Sequence, residues 1–188
     1  MGTVGILLAA GRGRRFDPSG AQNKLLQALP AGGAVVAASA RAMLAALPRV
    51  IAVVRPDDER VAAMLGALGC EVRVCQDADT GMAASLTHAI DYARGAPGWL
   101  IALGDMPYVL PSTIASLCLA LDRGAHIAAP VHRGRRGNPV GFGAYHLPLL
   151  LALDGDQGAR NIMKTHPVCE VAVDDGGILR DIDLPADL

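Results

Sequence analysis

Apolar positions along the first two-thirds of the chain fall into short continuous runs separated by helix-periodic stretches. Residues 3–8 (TVGILL), 49–54 (RVIAVV), 70–75 (CEVRVC) and 99–103 (WLIAL) carry the aliphatic and β-branched side chains of strands. Between them, residues 34–47 form an Ala-rich helical stretch stopped by Pro48. Asp57 or Asp58 is placed to cap a helix that runs to Leu68 and ends at Gly69. Residues 82–94 and 111–122 read as two more helices, the second with proline at its first position. This alternation predicts an α/β fold, a parallel sheet covered by helices on both faces.

The last third is less regular. Residues 126–131 and 140–145 read as strands joined by the basic turn HRGRRGNP, and residues 147–153 and 159–165 as short helices. Residues 168–173 and 178–182 read as further strands on either side of the turn DDGG. No linker, internal repeat or low-complexity tract interrupts the pattern. The 188 residues are expected to form one domain, large enough to bury a real core.

Composition narrows the class. Hydrophobic residues make up 52% and charged ones 19%, which excludes disorder; aromatics are 3%, so the core is built from Ala, Val, Leu and Ile. A net charge of −1 argues against a general binder of nucleic acid or of anionic membranes, so any basic site is local. The N-terminal apolar run has no basic stretch before it and is too short for a signal peptide. No segment approaches the ~20 apolar residues that cross a bilayer, and a cytoplasmic protein is expected. Cys70, Cys75, Cys118 and Cys169 lack C-x-x-C or metal-ligand spacing and read as reduced, mostly buried thiols. Cys70 and Cys75 are spaced so that a strand directs them to opposite faces.

Candidate chemistry begins where the first strand runs into LLAAGRGRRF. Ala9, Ala10, Gly11 and Gly13 strip side chains from the turn, so backbone N–H groups can approach a ligand, and Arg12, Arg14 and Arg15 add positive charge. Phe16 stands where G-x-G-x-x-G needs its third glycine, no acidic residue follows to hold a dinucleotide ribose, and G-K-[ST] is absent. Two readings remain, a tight turn with solvated arginines or a nucleoside triphosphate loop of another kind. Lys24, one of two lysines against fifteen arginines, is either a surface residue or the mobile cation of such a loop.

LIALGDMP, residues 100–107, delivers Asp105 to the C-terminal end of a hydrophobic strand, the edge where open α/β sheets bind ligands, and Pro107 turns the chain away. A carboxylate there can hold Mg²⁺, a hard cation that often takes only one or two carboxylates, or it can cap a turn. In DIDLP, residues 181–185, Asp181 and Asp183 share a face if the segment is a strand. One of them can return to the cleft as a second ligand, or both can guard a sheet edge. TGMAASL, residues 80–86, sets small residues at a helix N-terminus suited to a base, ribose or phosphate. GNPVGFG offers the amide of Asn138, and GDQGARN presents Asp156 on a loop; both segments also suit ordinary turns. Arg133, Arg135 and Arg136 either reach an anionic substrate or form a solvated hairpin tip. H-x-x-H, H-E-x-x-H and G-x-S-x-G are absent, so zinc sites and hydrolase triads fit poorly.

Taken in order, LAAGRGRRF with QNKLL, LGDMP, GNPVGFG, GDQGAR and DIDLPADL resemble the molybdenum-cofactor nucleotidyltransferases over residues 7–188, most closely their cytidylyltransferase branch. The resemblance implies a Rossmann-like three-layer α/β/α fold with a mostly parallel sheet, an NTP-binding part over residues 1–110 and an acceptor-binding part over residues 111–188. It implies that Leu8, Ala9, Ala10, Gly11 and Gly13 bind base and ribose through the backbone and cradle the triphosphate. Arg15 and Lys24 would neutralise phosphate oxygens, and Asp105 with Asp183 would carry Mg²⁺, with Mn²⁺ as a substitute. Gly81, Ser85, Asn138 and Asp156 would border the nucleotide and the pterin.

The implied reaction is attack by the terminal phosphate of molybdenum-molybdopterin on the α-phosphorus of CTP, giving pyrophosphate and molybdopterin cytosine dinucleotide. Transient contact with a molybdoenzyme or its chaperone would follow. Competing readings are transfer to a sugar phosphate or other small phosphate, GTP-dependent guanylyl transfer, and a non-catalytic nucleotide- or pterin-binding protein. Two departures stand out. DPSGAQ lengthens the loop after Phe16, and Leu184 and Ala186 replace the Thr and Glu of the usual ending DIDTPEDL, which thins the support expected around Asp183.

Overall fold

The computed structural model describes residues 2–155 and 158–188. Strand β1 (Val4–Leu8) leads through a long loop to helix α1 (Val35–Ala46), followed by β2 (Val50–Val54), α2 (Glu59–Ala67), β3 (Glu71–Val74), α3 (Met82–Tyr92), β4 (Gly98–Leu103) and α4 (Pro111–Asp122). Then come β5 (Ile127–His132), the two-residue β6 (Arg135–Arg136), β7 (Val140–Gly143), the short helices α5 (Leu147–Leu151) and α6 (Arg160–Thr165), and β8 (Cys169–Ala172). The strands form one eight-stranded sheet in the order β3-β2-β1-β4-β7-β5-β6, with β8 paired to β5. Strands β1 to β5 and β8 run one way and β6 and β7 against them, so the sheet is mostly parallel, as the strand–helix alternation predicts.

Alternation along each central strand builds two cores. Leu7, Val50, Ala52, Val54, Leu100 and Ala102 face α1, α2 and α4 on one side. Val4, Ile6, Leu8, Ile51, Val53, Trp99 and Ile101 face α3, α5 and α6 on the other. Cys70 joins the first core and Cys75 the second, the opposite placement that their spacing predicts. All four cysteines are free; Cys169 is exposed, and burial pushes the Cys70 and Cys118 thiols up to about 11, which keeps them protonated and inert at neutral pH.

The connections place a crevice. After β1 the chain steps outward to β2 and β3, then returns to lay β4 on the opposite side of β1. Loops that leave neighbouring strands in opposite directions open a cleft beyond the carboxyl ends of those strands.

Two local expectations are corrected. Asp58 occupies the N-cap of α2, but its side chain caps nothing; the carboxylate instead accepts a hydrogen bond from Asn23 Nδ2 at 2.7 Å. Residues 178–182 form no strand. Gly176–Leu179 is a 3₁₀ turn, because the buried Asp175 bends the chain onto the start of α4. Its carboxylate accepts from Gly177 N–H (2.8 Å), Leu110 N–H (2.9 Å) and Thr113 Oγ1 (2.7 Å). The approach is close enough that a Cβ on Gly177 would lie 2.0 Å from Tyr108 O. Beyond the turn the chain becomes a strap. Ile182 N–H donates to Asp105 C=O at 2.8 Å, and the Ile182 side chain packs with Phe16, Leu29 and Val35.

Removing the Asp175 carboxylate leaves the buried Gly177 N–H, the half-buried Leu110 N–H and the buried Thr113 hydroxyl without an acceptor. Asp175→Ala is expected to lower stability by about 3 kcal/mol, read from the urea midpoint. A loss below about 1 kcal/mol would contradict the assignment of this carboxylate as the anchor of the strap.

Candidate functional site

β1 and β4 are in register at Leu8 and Leu103, and the ladder extends one step further through Gly104 N–H donating to Leu8 O at 2.8 Å. Ala9 N–H in turn donates to Val53 O at 2.9 Å. The turn after β1 and Asp105 after β4 therefore emerge side by side. Position 104 is tight, since a Cβ would stand 3.1 Å from Leu8 O and 3.3 Å from Ala9 Cβ. Ser39, the polar residue on the buried face of α1, donates to Gly104 O at 3.0 Å and holds the corner from below.

A cleft of about 390 Å³ opens above this edge, a volume suited to a small ligand. Leu8, Ala9, Ala10, Gly11, Lys24, Gly81, Ser85 and Asp105 all line it. Gly81 starts α3 with φ 136°, and no side chain caps that helix among the described residues. Arg12 crosses the mouth to Asp79, whose carboxyl its hydrogen bonds hold below the usual range. Arg12 and Arg14 also line a neighbouring open groove of about 760 Å³ with Arg55 and Arg60.

At the cleft floor Lys24, 8% exposed, places Nζ 2.5 Å from Asp105 Oδ2 and 3.5 Å from Asp183 Oδ1. Arg15 pairs with the other oxygen of Asp183. Asn23 sets the lysine: its Oδ1 accepts from Leu25 N–H at 2.9 Å to close the turn Lys24–Leu26, while its amide is tied to Asp58. Gly13, at φ +62°, lets the lysine stem pass, since a Cβ there would sit 3.2 Å from Lys24 Cγ. Asp187 Oδ2 accepts from Asp183 N–H (3.0 Å) and Leu184 N–H (2.7 Å), bonds that hold its carboxyl below the usual range. Support for Asp183 thus comes from Asp187 instead of positions 184 and 186. Asp181 joins the acidic group: burial first, then the charges of Asp183 and Asp105, pushes its carboxyl above the usual range.

Arg15 and Asn138 do not line the cleft. Arg15 is exposed and reaches the site only through Asp183. With Pro139, Asn138 borders a small crevice against Ser39, Met106 and Val109, and its N–H donates to Ile178 O at 3.0 Å. Asp156 lies outside the described residues. Arg135 and Arg136 form the exposed hairpin, with Arg136 paired to Glu170 at 2.6 Å. Asn23, Ser39, Asp79 and Asp187 were not singled out from the sequence. The first two carry a signal, an asparagine before the lysine turn and a serine on an otherwise apolar helix face.

Asp105 Oδ1 is buried without a hydrogen-bond partner among the described residues. Such an atom calls for a missing ligand. Among the described residues no group of three or more His, Cys, Asp or Glu is placed to hold a metal on protein ligands alone. Two carboxylates with one orphaned oxygen instead fit a hard divalent ion whose shell is completed by phosphate oxygens and water.

A model of the MobA-like NTP transferase domain matches residues 5–171. The purine catabolism protein PucB of Bacillus subtilis (strain 168) is 31% identical over 196 residues, covering 97% of this chain and 92% of that protein. Among solved structures, Rv0371c from Mycobacterium tuberculosis H37Rv is 28% identical with a TM-score of 0.83, covering 100% of this chain and 96% of its own. The same protein has been crystallised with manganese (TM-score 0.80, 27% identity, 100% and 96% covered). A nucleotidyl transferase from Methanothermobacter thermautotroptrophicus, Mth528, is 25% identical with a TM-score of 0.82, covering 98% and 93%.

Asp183 ties the strap to both Lys24 and Arg15, so its loss frees two segments at once. Asp183→Ala is expected to speed amide exchange about tenfold at residues 12–24 and 180–188, the equivalent of roughly 1.4 kcal/mol, with the sheet unaffected. Mass-spectrometric hydrogen exchange reads this directly, and unchanged rates in both segments would contradict the tie.

Proposed function

The chain belongs to the MobA-like NTP transferase family, and we propose that it transfers CMP from CTP to the terminal phosphate of molybdenum-molybdopterin, releasing pyrophosphate. The observation that carries the reading is the buried, unpartnered Asp105 Oδ1 beside Lys24 and Asp183, at the end of a cleft whose wall is the side-chain-poor turn after β1. The choice of cytosine and of the pterin acceptor is supported by the sequence resemblance carried by LAAGRGRRF, LGDMP and DIDLPADL.

In this reaction an oxygen of the acceptor phosphate forms a bond to the α-phosphorus while the bond to the β-phosphate oxygen breaks and the pair of electrons leaves with pyrophosphate. A phosphate monoester is largely ionised at neutral pH, with a second pKa of about 6, so the chain need not provide a strong base. Its task is positioning and neutralisation. The turn after Ala9, whose own N–H is spent on Val53 O, would turn the backbone N–H groups of residues 10–13 to the phosphates, and Lys24 and Arg15 would offset their charge. Asp105 and Asp183 would hold Mg²⁺ or Mn²⁺, and the manganese-bound relative supports a divalent ion of this kind. When bound, the ion supplies Lewis acidity at the phosphate oxygens and a template for in-line transfer.

Pyrophosphate release with molybdenum-loaded molybdopterin and Mg²⁺ is expected with CTP and at least about tenfold slower with GTP. Asp105→Ala is expected to lower it by about 10²–10³-fold with the circular dichroism spectrum unchanged. Near-normal turnover in that variant, or faster release with GTP or with a sugar phosphate as acceptor, would overturn the reading.

A further inference from the structure

Asp105 and Asp183 cannot move apart freely. The strap is held to the turn after β4 through Ile182 N–H and Asp105 C=O at 2.8 Å, one residue from Asp183, and Ile182 is buried. Two carboxylates held together in a partly buried site repel each other unless a cation lies between them. The exposed Arg15 pairs with the outer oxygen of Asp183 alone, and Lys24 is the cation that spans the two: its stem is confined over Gly13, and Nζ reaches both carboxylates.

We propose that Lys24 is a resident counter-ion that a divalent metal must displace from the Asp105–Asp183 pair. The inference rests on the reading of the cleft as a metal–nucleotide site and adds an order of events to it. A doubly charged ion on the same carboxylates lies within a few ångströms of the buried ammonium, and the two repel strongly at low dielectric. Both cannot hold the pair. Lys24 has somewhere to go, since the adjoining turn is open at Gly11, where a Cβ would meet nothing within 4 Å. A polyphosphate on that turn draws the ammonium upward, and the metal then takes the carboxylates. The chain alone therefore binds the free ion weakly, and the metal enters as nucleotide displaces the lysine.

The test is Mn²⁺ binding by electron paramagnetic resonance without nucleotide, on the full chain as wild type, Lys24→Met and the double variant Lys24→Met with Asp105→Asn. Lys24→Met is expected to bind Mn²⁺ at least about tenfold more tightly than wild type, and the double variant to lose that site. Lys24→Met leaves Asp105 without its cation and Asp183 with Arg15 alone, so its Tm is expected to rise more with Mn²⁺ than that of wild type. Equal or weaker Mn²⁺ binding by Lys24→Met, a Tm response no larger than that of wild type, or survival of the tight site in the double variant would each overturn the exchange. Tighter binding by Lys24→Met together with no pyrophosphate release by the wild-type chain from any nucleotide would uphold the exchange and overturn the proposed activity.

Discussion

Two carboxylates brought side by side by the backbone need positive charge between them, and the ammonium of Lys24 meets that need at the junction of β1, β4 and the C-terminal strap. Much of the local architecture is arranged around this contact. The register of β1 with β4 and the missing side chain at Gly104 bring Asp105 beside the turn after β1. Asp175 bends the chain, and Ile182 lays the strap so that Asp183 arrives next to Asp105. Asn23 closes the short turn that aims the lysine. The buried ammonium without the carboxylates, or Asp105 without the ammonium, would carry an uncompensated charge.

The same arrangement suits phosphoryl chemistry better than chemistry that needs a side-chain nucleophile. The cleft offers a side-chain-poor backbone turn, Lys24 and Asp105, whose Oδ1 has no partner among the described residues, with Asp183 in reach of the same ammonium. Cys70 and Cys118 are held protonated by burial. What the site can do is hold a polyanion, offset its charge and orient a second reactant, which is most of what transfer between phosphates requires.

Much of this was legible in the chain because it is written in local pattern. Apolar runs gave the strands, proline and glycine their ends, and the small residues after β1 and the Gly-Asp after β4 marked the sheet edge. The rest depends on contacts between distant segments. Residues 178–182 alternate like a strand, yet Asp175 turns them into a strap through bonds to the start of α4. Asp58 looks like a helix cap until Asn23, 35 residues earlier, takes its carboxylate. Asn138 sits in a turn motif that suggests a ligand, but its N–H faces Ile178. Asp187 was invisible because its importance lies in closing a turn around its neighbour Asp183.

The central claim is that Asp105 and Asp183 form a metal seat occupied by Lys24 until nucleotide arrives. The most direct measurement is a crystal structure with Mn²⁺ and a non-hydrolysable CTP analogue, with anomalous data. The account predicts a manganese peak within about 2.0–2.4 Å of an oxygen from each carboxylate, with Lys24 Nζ moved onto the phosphates. Manganese bound elsewhere, or Lys24 still seated between the two aspartates beneath bound nucleotide, would contradict it.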